Sequence, residues 1–331
     1  MEISCAFPTT LSSHEHIALA EELGYERAWL YDTPQQSPDV WMVLALAAER
    51  TERIGLGPGV LVPTLRHPMV NAAATAALAA LAPGRVTVAF GTGFTGRRAM
   101  GYRAIPWAFM DAYVRAFRGL LRGETVEWEG ARMRMLHPPG HAAPRPVEVP
   151  VVIGALGPKG AAVAHELGDG LFVTTTVPAF ATEFARVSAL VWGTVLDDGE
   201  RPDSDRVRDA GGPGLALAYH GAYEFGTPLS RLPGGAEWQA VVERTAPEER
   251  HLAVHEQHCV GLNEADRAAW DAGGHAMLGT ATLTGTADEV RARIAGLAGA
   301  GVTELVFQPA GPDVRRELET FLDTAKPAVT A

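Results

Sequence analysis

At 331 residues the chain is long for an ordinary domain but normal for one α/β barrel. With 28 Lys and Arg against 39 Asp and Glu, its net charge of −11 argues against nucleic acid or an anionic membrane as partner. No apolar run is long enough to span a bilayer, MEISCAFPTT lacks the charge and apolar core of a signal peptide, and two distant cysteines, Cys5 and Cys259, suit a reducing cytoplasm, the location expected here.

Taken in order, short strands alternate with helices, the pattern of a parallel α/β fold. Residues 2–7 read as a strand, 13–23 as an amphipathic helix ended by Gly24, and 27–31 as the next strand. The same helix–glycine–strand joint recurs at Gly168 and Gly301, which points to one repeated architecture. Further strands are expected at 53–59, 85–91, 150–154, 170–174, 214–220 and 304–308, eight in all. Helices are expected at 38–50, 68–81, 107–122, 158–167, 179–193, 286–299 and 312–325. The expected fold is therefore a single (β/α)8 TIM barrel over 1–331, with insertions at its C-terminal face. Two inserts interrupt it: 124–148, a short hairpin with a proline-rich exit, and 222–283, a long irregular stretch of the kind that forms lids. The charged segment 195–213 reads as surface loop.

Barrel enzymes work at the C-terminal ends of their strands. That rule selects 7–9, 31–33, 59–64, 91–96, 154–159, 174–177, 219–220 and 308–311. Among these, Gly154, Ala155, Gly157 and Pro158 lead from a strand into a helix, whose free N–H groups and positive end can hold an anion. Lys159 falls in the first turn of that helix, against its dipole, in a chain whose only other lysine is Lys326. An anion there would resolve the conflict; a solvated lysine is the alternative. Thr174 and Thr175 can add hydroxyl donors, unless they are there only for β-propensity. Thr92 and Gly93 in the GTGF turn let a ligand approach the backbone, and Arg97, Arg98 and Arg103 follow. Tyr219 and His220 end the expected seventh strand, where His220 is a candidate proton donor. His251, His255 and His258 would share one face of a helix. That spacing permits a metal site or a proton relay, but an exposed helix is the reading adopted and no metal ligand is assigned.

Several segments carry a resemblance to a known family. AEELGYERAWLYD, RIGLGPGVLVPTLRHP, LAPGRVTVAFGTGF, VPVVIGALGPKGAAVAHELGDGLFV and LTGTADEVRARIAGLAGAGVTELVF resemble successive strand–loop–helix units of the luciferase-like flavin and deazaflavin oxidoreductases. The resemblance implies a hydride-transferring enzyme with coenzyme F420, or FMN as the alternative, and a homodimer; a pocket lined by both inserts and by Phe94 suits a small, apolar organic substrate. It implies a cis Gly59–Val60 peptide bulging against the ring, an acid near the ring at Asp32, and cofactor contacts at Thr33, Gly59, Val60, Thr92, Gly93 and the 154–159 loop. The chain departs from the sugar-phosphate dehydrogenase branch, which has a histidine where Thr33 stands, a glutamate at Phe94 and a lysine at Pro178. A sugar phosphate is thus a poor expectation, and reduction of an activated C=C, C=N or C=O a better one. A metal-dependent hydrolase and a non-catalytic homologue are the remaining alternatives.

Overall fold

The computed structural model describes residues 1–174 and 176–330, with side chains to 326. In chain order the elements are β1 (Glu2–Phe7), α1 (Ser13–Leu23), β2 (Arg27–Leu30), α2 (Val40–Arg50), β3 (Gly55–Pro58), α3 (Pro68–Leu81), β4 (Val88–Phe90), α4 (Phe94–Arg98) and α5 (Trp107–Arg122). A hairpin of β5 (Val126–Trp128) and β6 (Ala131–Met133) precedes β7 (Val151–Gly154), α6 (Pro158–Leu167), β8 (Gly170–Thr174) and β9 (Val187–Trp192). Then come α7 (Asp205–Phe225), α8 (Gly235–Val242), α9 (Arg250–His255), α10 (Glu264–Asp271), α11 (Leu278–Ala281), α12 (Ala287–Gly299), β10 (Glu304–Gln308) and α13 (Val314–Thr330).

Eight parallel strands pair in the order β3-β2-β1-β10-β9-β8-β7-β4. Parallel bridges Leu56↔Val86 and Leu61↔Phe90 join β3 to β4 and close the (β/α)8 barrel. Its interior is filled by alternate strand residues, among them Ala6, Trp29, Ala89, Val152, Phe172, Leu190 and Val306. At the N-terminal end Glu304 forms a polar floor, accepting from Trp29 Nε1 at 3.2 Å and from Ser188 Oγ, with Arg27 and Arg186 alongside. Burial pushes its carboxyl up, but the two arginines and Ser188 outweigh that and hold it below the ordinary glutamate value. The opposite faces of the strands pack on the helices in one large apolar layer.

Helix starts follow local chemistry. Pro68 and Pro158 open α3 and α6 at their first turn, and Thr286 with Glu289 forms a capping box on α12. Gly24 and Gly301 take the left-handed conformation expected of them. Gly168 does not, with φ −97°; there a Cβ would lie 2.8 Å from the Ala164 carbonyl oxygen.

One stretch differs from the sequence expectation. Residues 179–193 are not a helix: a short 3-10 turn, Ala179–Glu183, leads into β9, the true seventh strand. Residues 214–220 are not a strand but the middle of α7, which also absorbs the end of the presumed loop 195–213. Strand β9 is buried nearly throughout, so its apolar run has no alternation to distinguish strand from helix. GGPG in α7 reads as a turn, yet its glycines are contact points. A Cβ at Gly214 would lie 2.4 Å from Trp192 Cβ, and one at Gly212 would lie 3.0 Å from Leu262.

The two inserts behave differently. The 124–148 hairpin runs up the outside of α5, with Val126 against Gly119 and Trp128 against Tyr113 and Phe109; only its tip reaches the C-terminal rim, where Trp128 meets His67. Residues 222–283 are helical, not irregular, and pack on α7 around their own core of Tyr219, Trp238, Val254, Ala269 and Trp270. This second insert covers the barrel mouth.

Candidate active site

Five neighbouring strands, β2, β3, β4, β7 and β8, carry the expected cofactor contacts at their C-terminal ends. Asp32 and Thr33 follow β2, Gly59 and Val60 follow β3, Thr92 and Gly93 follow β4, Gly154 ends β7 and Thr174 ends β8; Thr175 lies outside the described residues. The Gly59–Val60 peptide is cis. Val60 lies across the mouth against two glycines: a Cβ on Gly91 would come within 2.5 Å of Val60 Cγ2, and one on Gly154 within 3.7 Å of Cγ1. A Cβ on Gly59 would meet Trp29 Cε3 at 2.8 Å. Gly93 adopts φ 84°, and a side chain there would strike Arg97 and Val62. These positions are glycine because Trp29, Val60, Val62 and Arg97 already fill the space that a side chain would take.

Beside these strand ends, Gly157 caps α6 without a side-chain bond and Pro158 and Lys159 are exposed at its start. Ala155 is buried, its N–H donating to the Phe172 carbonyl at 3.2 Å. Lys159 forms no ion pair among the described residues. A helix start with a free cation beside it has the chemistry to hold an anion. The arginines expected nearby are otherwise engaged: Arg97 donates to Thr64 Oγ1 at 2.6 Å and Arg98 pairs with Glu224. Thr33 opens a turn, its carbonyl accepting from Gln36 and Ser37 N–H.

The remaining strand ends, on β1, β10 and β9, face the insert. Cys259 and Leu217 drop into the mouth against Trp29, Trp192 and Tyr31, and the Cys259 carbonyl accepts from Gln308 Nε2 at 2.7 Å. Of three buried polar atoms here, Gln308 Oε1 lacks a partner among the described residues, and Tyr31 Oη and Trp192 Nε1 make only a loose contact with each other. Burial, and then Cys259 beside it, pushes the Tyr31 hydroxyl well above its ordinary value, so it stays an O–H donor. Sequence reasoning missed these three. Tyr31 stood next to Asp32 in a selected strand end, whereas Trp192 was hidden by the helical reading of 179–193.

Asp32 is buried and bound by Arg66, whose Nη1 lies 2.7 and 2.6 Å from its two carboxylate oxygens. Burial pushes the Asp32 carboxyl up, opposed by Arg66. Arg66 also reaches Asp39 at 2.7 Å, and its carbonyl accepts from Tyr113 Oη at 2.8 Å.

His220 is not at a strand end. It is fully buried on α7, with Nδ1 2.6 Å from His258 Nδ1 and Nε2 3.0 Å from Asp266 Oδ1, so it presents no free nitrogen to the mouth and the expected proton-donor role fails on geometry. His255 and His258 are not on an exposed helix face either. Both are buried and converge on His220, because α9 ends at His255 and a turn with Gln257 and Cys259 at positive φ folds His258 inward. His251 stays outside this group and packs on Gly101. Burial lowers the pKa of both rings, well below the ordinary histidine value for His258, so both are neutral near pH 7.

A closed parallel barrel whose neighbouring strands bring Asp32, Gly59, Val60 and the start of α6 to its C-terminal mouth has the architecture of (β/α)8 proteins that hold ligands at that face. Residues 12–189 match the luciferase-like monooxygenase model, and the chain belongs to that family. It is 28% identical over 326 residues to a 5,10-methylenetetrahydromethanopterin reductase of Archaeoglobus fulgidus, covering 92% of this chain and 91% of the relative. It is 29% identical over 290 residues to an F420-dependent glucose-6-phosphate dehydrogenase of Mycobacterium avium, covering 85% and 80%. The solved coenzyme F420 dependent tetrahydromethanopterin reductase of Methanopyrus kandleri superposes with a TM-score of 0.70 at 21% identity, over 99% of both chains. Among the described residues no helix is long and apolar enough to cross a membrane.

Proposed function

We propose that this protein is an oxidoreductase that binds coenzyme F420 and uses its reduced form to reduce an activated C=C, C=N or C=O bond in a small, apolar organic substrate. The observation that carries the reading is that neighbouring strands bring Asp32, Thr33, Gly59, Val60, Gly93 and Gly154 to one side of the barrel mouth, beside the start of α6 with Lys159. The names of the relatives, F420-dependent on both the reductase and dehydrogenase sides, support the same cofactor. When bound, F420 supplies the hydride; the chain supplies position, dryness and charge.

On this reading the N–H groups opening α6 and Lys159 hold the phosphate of the cofactor tail, with Thr92, Gly93, Ala155, Gly157, Pro158 and Thr174 along its path. Thr33 lines the ring edge. Asp32, fixed by Arg66, contributes a steady negative charge at the ring and is not a free acid. Substrate occupies the insert side of the mouth, where Tyr31 Oη and Trp192 Nε1 are buried donors with only a loose contact between them. Thr33, Phe94 and Pro178 leave the site without the groups that would bind and oxidise a sugar phosphate.

Fluorescence titration of the purified chain with F420, in parallel with FMN, tests the cofactor. Saturable F420 binding with weak or absent FMN binding is expected, followed by oxidation of F420H2 on addition of an activated alkene, imine or ketone. Tight FMN binding with none for F420 overturns it.

A further inference from the structure

The three buried histidines described above lie apart from the proposed cofactor site, and the proposed function makes no use of them. One ring nitrogen of each of His220, His255 and His258 lies within 4.8 Å of the others. All three rings are almost completely buried. Their outer nitrogens are each engaged: His220 Nε2 with Asp266 Oδ1 at 3.0 Å, His255 Nε2 with Glu224 Oε1 at 2.9 Å, and His258 Nε2 with Thr95 Oγ1 at 2.9 Å. The carboxylates are themselves fixed. Asp266 also accepts from Trp238 Nε1 at 2.8 Å and from the Asn263 N–H at 3.1 Å, and Glu224 pairs with Arg98.

Tautomers follow from these partners. An ionised carboxylate only accepts, so Nε2 of His220 and of His255 carries the proton, and Nδ1 of each presents a lone pair. His220 Nδ1 and His258 Nδ1 face each other at 2.6 Å, and a ring nitrogen of His255 lies within 4.8 Å of the ligand nitrogens of both. His258 can offer a single Nδ1–H, and its 2.6 Å approach to His220 Nδ1 uses it. His255 Nδ1 is then a buried acceptor with no donor, and it has no partner in the structure. No arrangement of protons among three Nδ1 atoms satisfies all of them; one cation between them does.

We propose that His220, His255 and His258 bind a divalent transition-metal ion, Zn2+ being the best match, through their three Nδ1 atoms. Three neutral imidazoles whose far nitrogens are held by carboxylates or a hydroxyl are the ligand set and outer shell that zinc takes in proteins. A tetrahedral ion with bonds of about 2.0–2.1 Å spaces its nitrogens about 3.3 Å apart, so His220 and His258, now 2.6 Å apart, must open while any pair near the 4.8 Å limit must close; the fourth position is left for water. The ion joins α7 to the end of α9 and to the turn whose next residue, Cys259, sits in the barrel mouth. It thus clips the lid over the substrate side. This site does not depend on the deazaflavin reading.

The test uses tag-free, full-length protein stripped with chelator and titrated with Co2+, then with Zn2+. Expected are about one equivalent of Co2+ with the intense visible bands of a tetrahedral nitrogen site, displacement of those bands by Zn2+, and a higher melting temperature with either ion. Glu224→Gln should weaken the affinity about 10- to 100-fold by loosening the His255 ring. His255→Ala should abolish the visible bands. If the His255→Ala chain does not fold, the stripped wild type decides: no bands, no uptake and no thermal shift overturn the site. Undiminished Co2+ binding by folded His255→Ala overturns it equally.

Discussion

Arg66 binds both carboxylate oxygens of Asp32 through one nitrogen, Nη1, while its other terminal nitrogen reaches Asp39. One guanidinium thereby ties the end of β2 to the cap of α2, from a loop that follows β3. The Asp32 side chain is 1% exposed and that of Arg66 13%. Removing the arginine strands a buried carboxylate. Arg66→Ala should therefore cost about 3–5 kcal/mol of stability at neutral pH, read from urea denaturation. A loss below about 1 kcal/mol would mean that Asp32 finds water or another donor.

Lys159 is exposed at the start of α6 with no ion pair among the described residues, so its removal should leave the fold intact. If it holds the phosphate of the cofactor, Lys159→Ala should weaken F420 binding roughly tenfold or more in a fluorescence titration. The effect should shrink as salt rises, since an exposed charge contact is screened. Equal affinities for both proteins would remove the anion site.

Gly91 faces Val60 so closely that a methyl group cannot be added without displacing it, and the β-branched Val60 has little room to turn away. Gly91→Ala should cost about 1–3 kcal/mol through overpacking and should lower cofactor affinity more than it disturbs far-UV circular dichroism. Unaltered F420 binding by this variant would show that the ligand does not rest on this side of the mouth.

Most of this side of the mouth was legible in the sequence because two local signals coincide there. Helix starts announced by Pro68 and Pro158 and the strands before them placed Gly59, Gly93 and Gly154 at strand ends without any tertiary information. The other half of the mouth was not legible. Trp192 ends a strand buried on both faces, whose apolar run carries no period, and His220 sits on a helix interrupted in sequence by GGPG. Those glycines make sense only against Trp192 and Leu262, which lie far from them in the chain or on another element. The histidine cluster failed for the same reason: helical spacing grouped His255 and His258 with His251, but their third member comes from α7.

Tyr31 offers a way to separate stability from function. Its hydroxyl is buried with only a loose contact to Trp192 Nε1, so it adds little to the fold and its desolvation opposes folding. Tyr31→Phe should leave the melting temperature unchanged or raise it. If the hydroxyl meets substrate, kcat for oxidation of F420H2 should fall while cofactor affinity stays the same. A variant that is both less stable and fully active would reverse the assignment.

Glu200 accepts from Arg206 Nε at 2.8 Å, from Ser204 Oγ at 3.0 Å and from the Asp197 N–H at 3.0 Å, and Arg206 in turn reaches Glu317 at 2.9 Å. Arg206 above all holds the Glu200 carboxyl down at about 2, against an ordinary 4.5. A carboxyl whose pKa is lower in the folded chain binds fewer protons there than when unfolded. Its contribution is therefore complete above about pH 4.5 and is lost as the pH falls through about 2. Solvent at the edge of the pair screens it, which leaves roughly 1–2 kcal/mol. Glu200→Gln should be less stable than the parent by that amount at pH 7, and the difference should narrow steadily in denaturation series taken from pH 5 down toward pH 2. A gap that stayed constant over that range would assign the loss to packing, because only a titrating carboxylate makes it depend on protons.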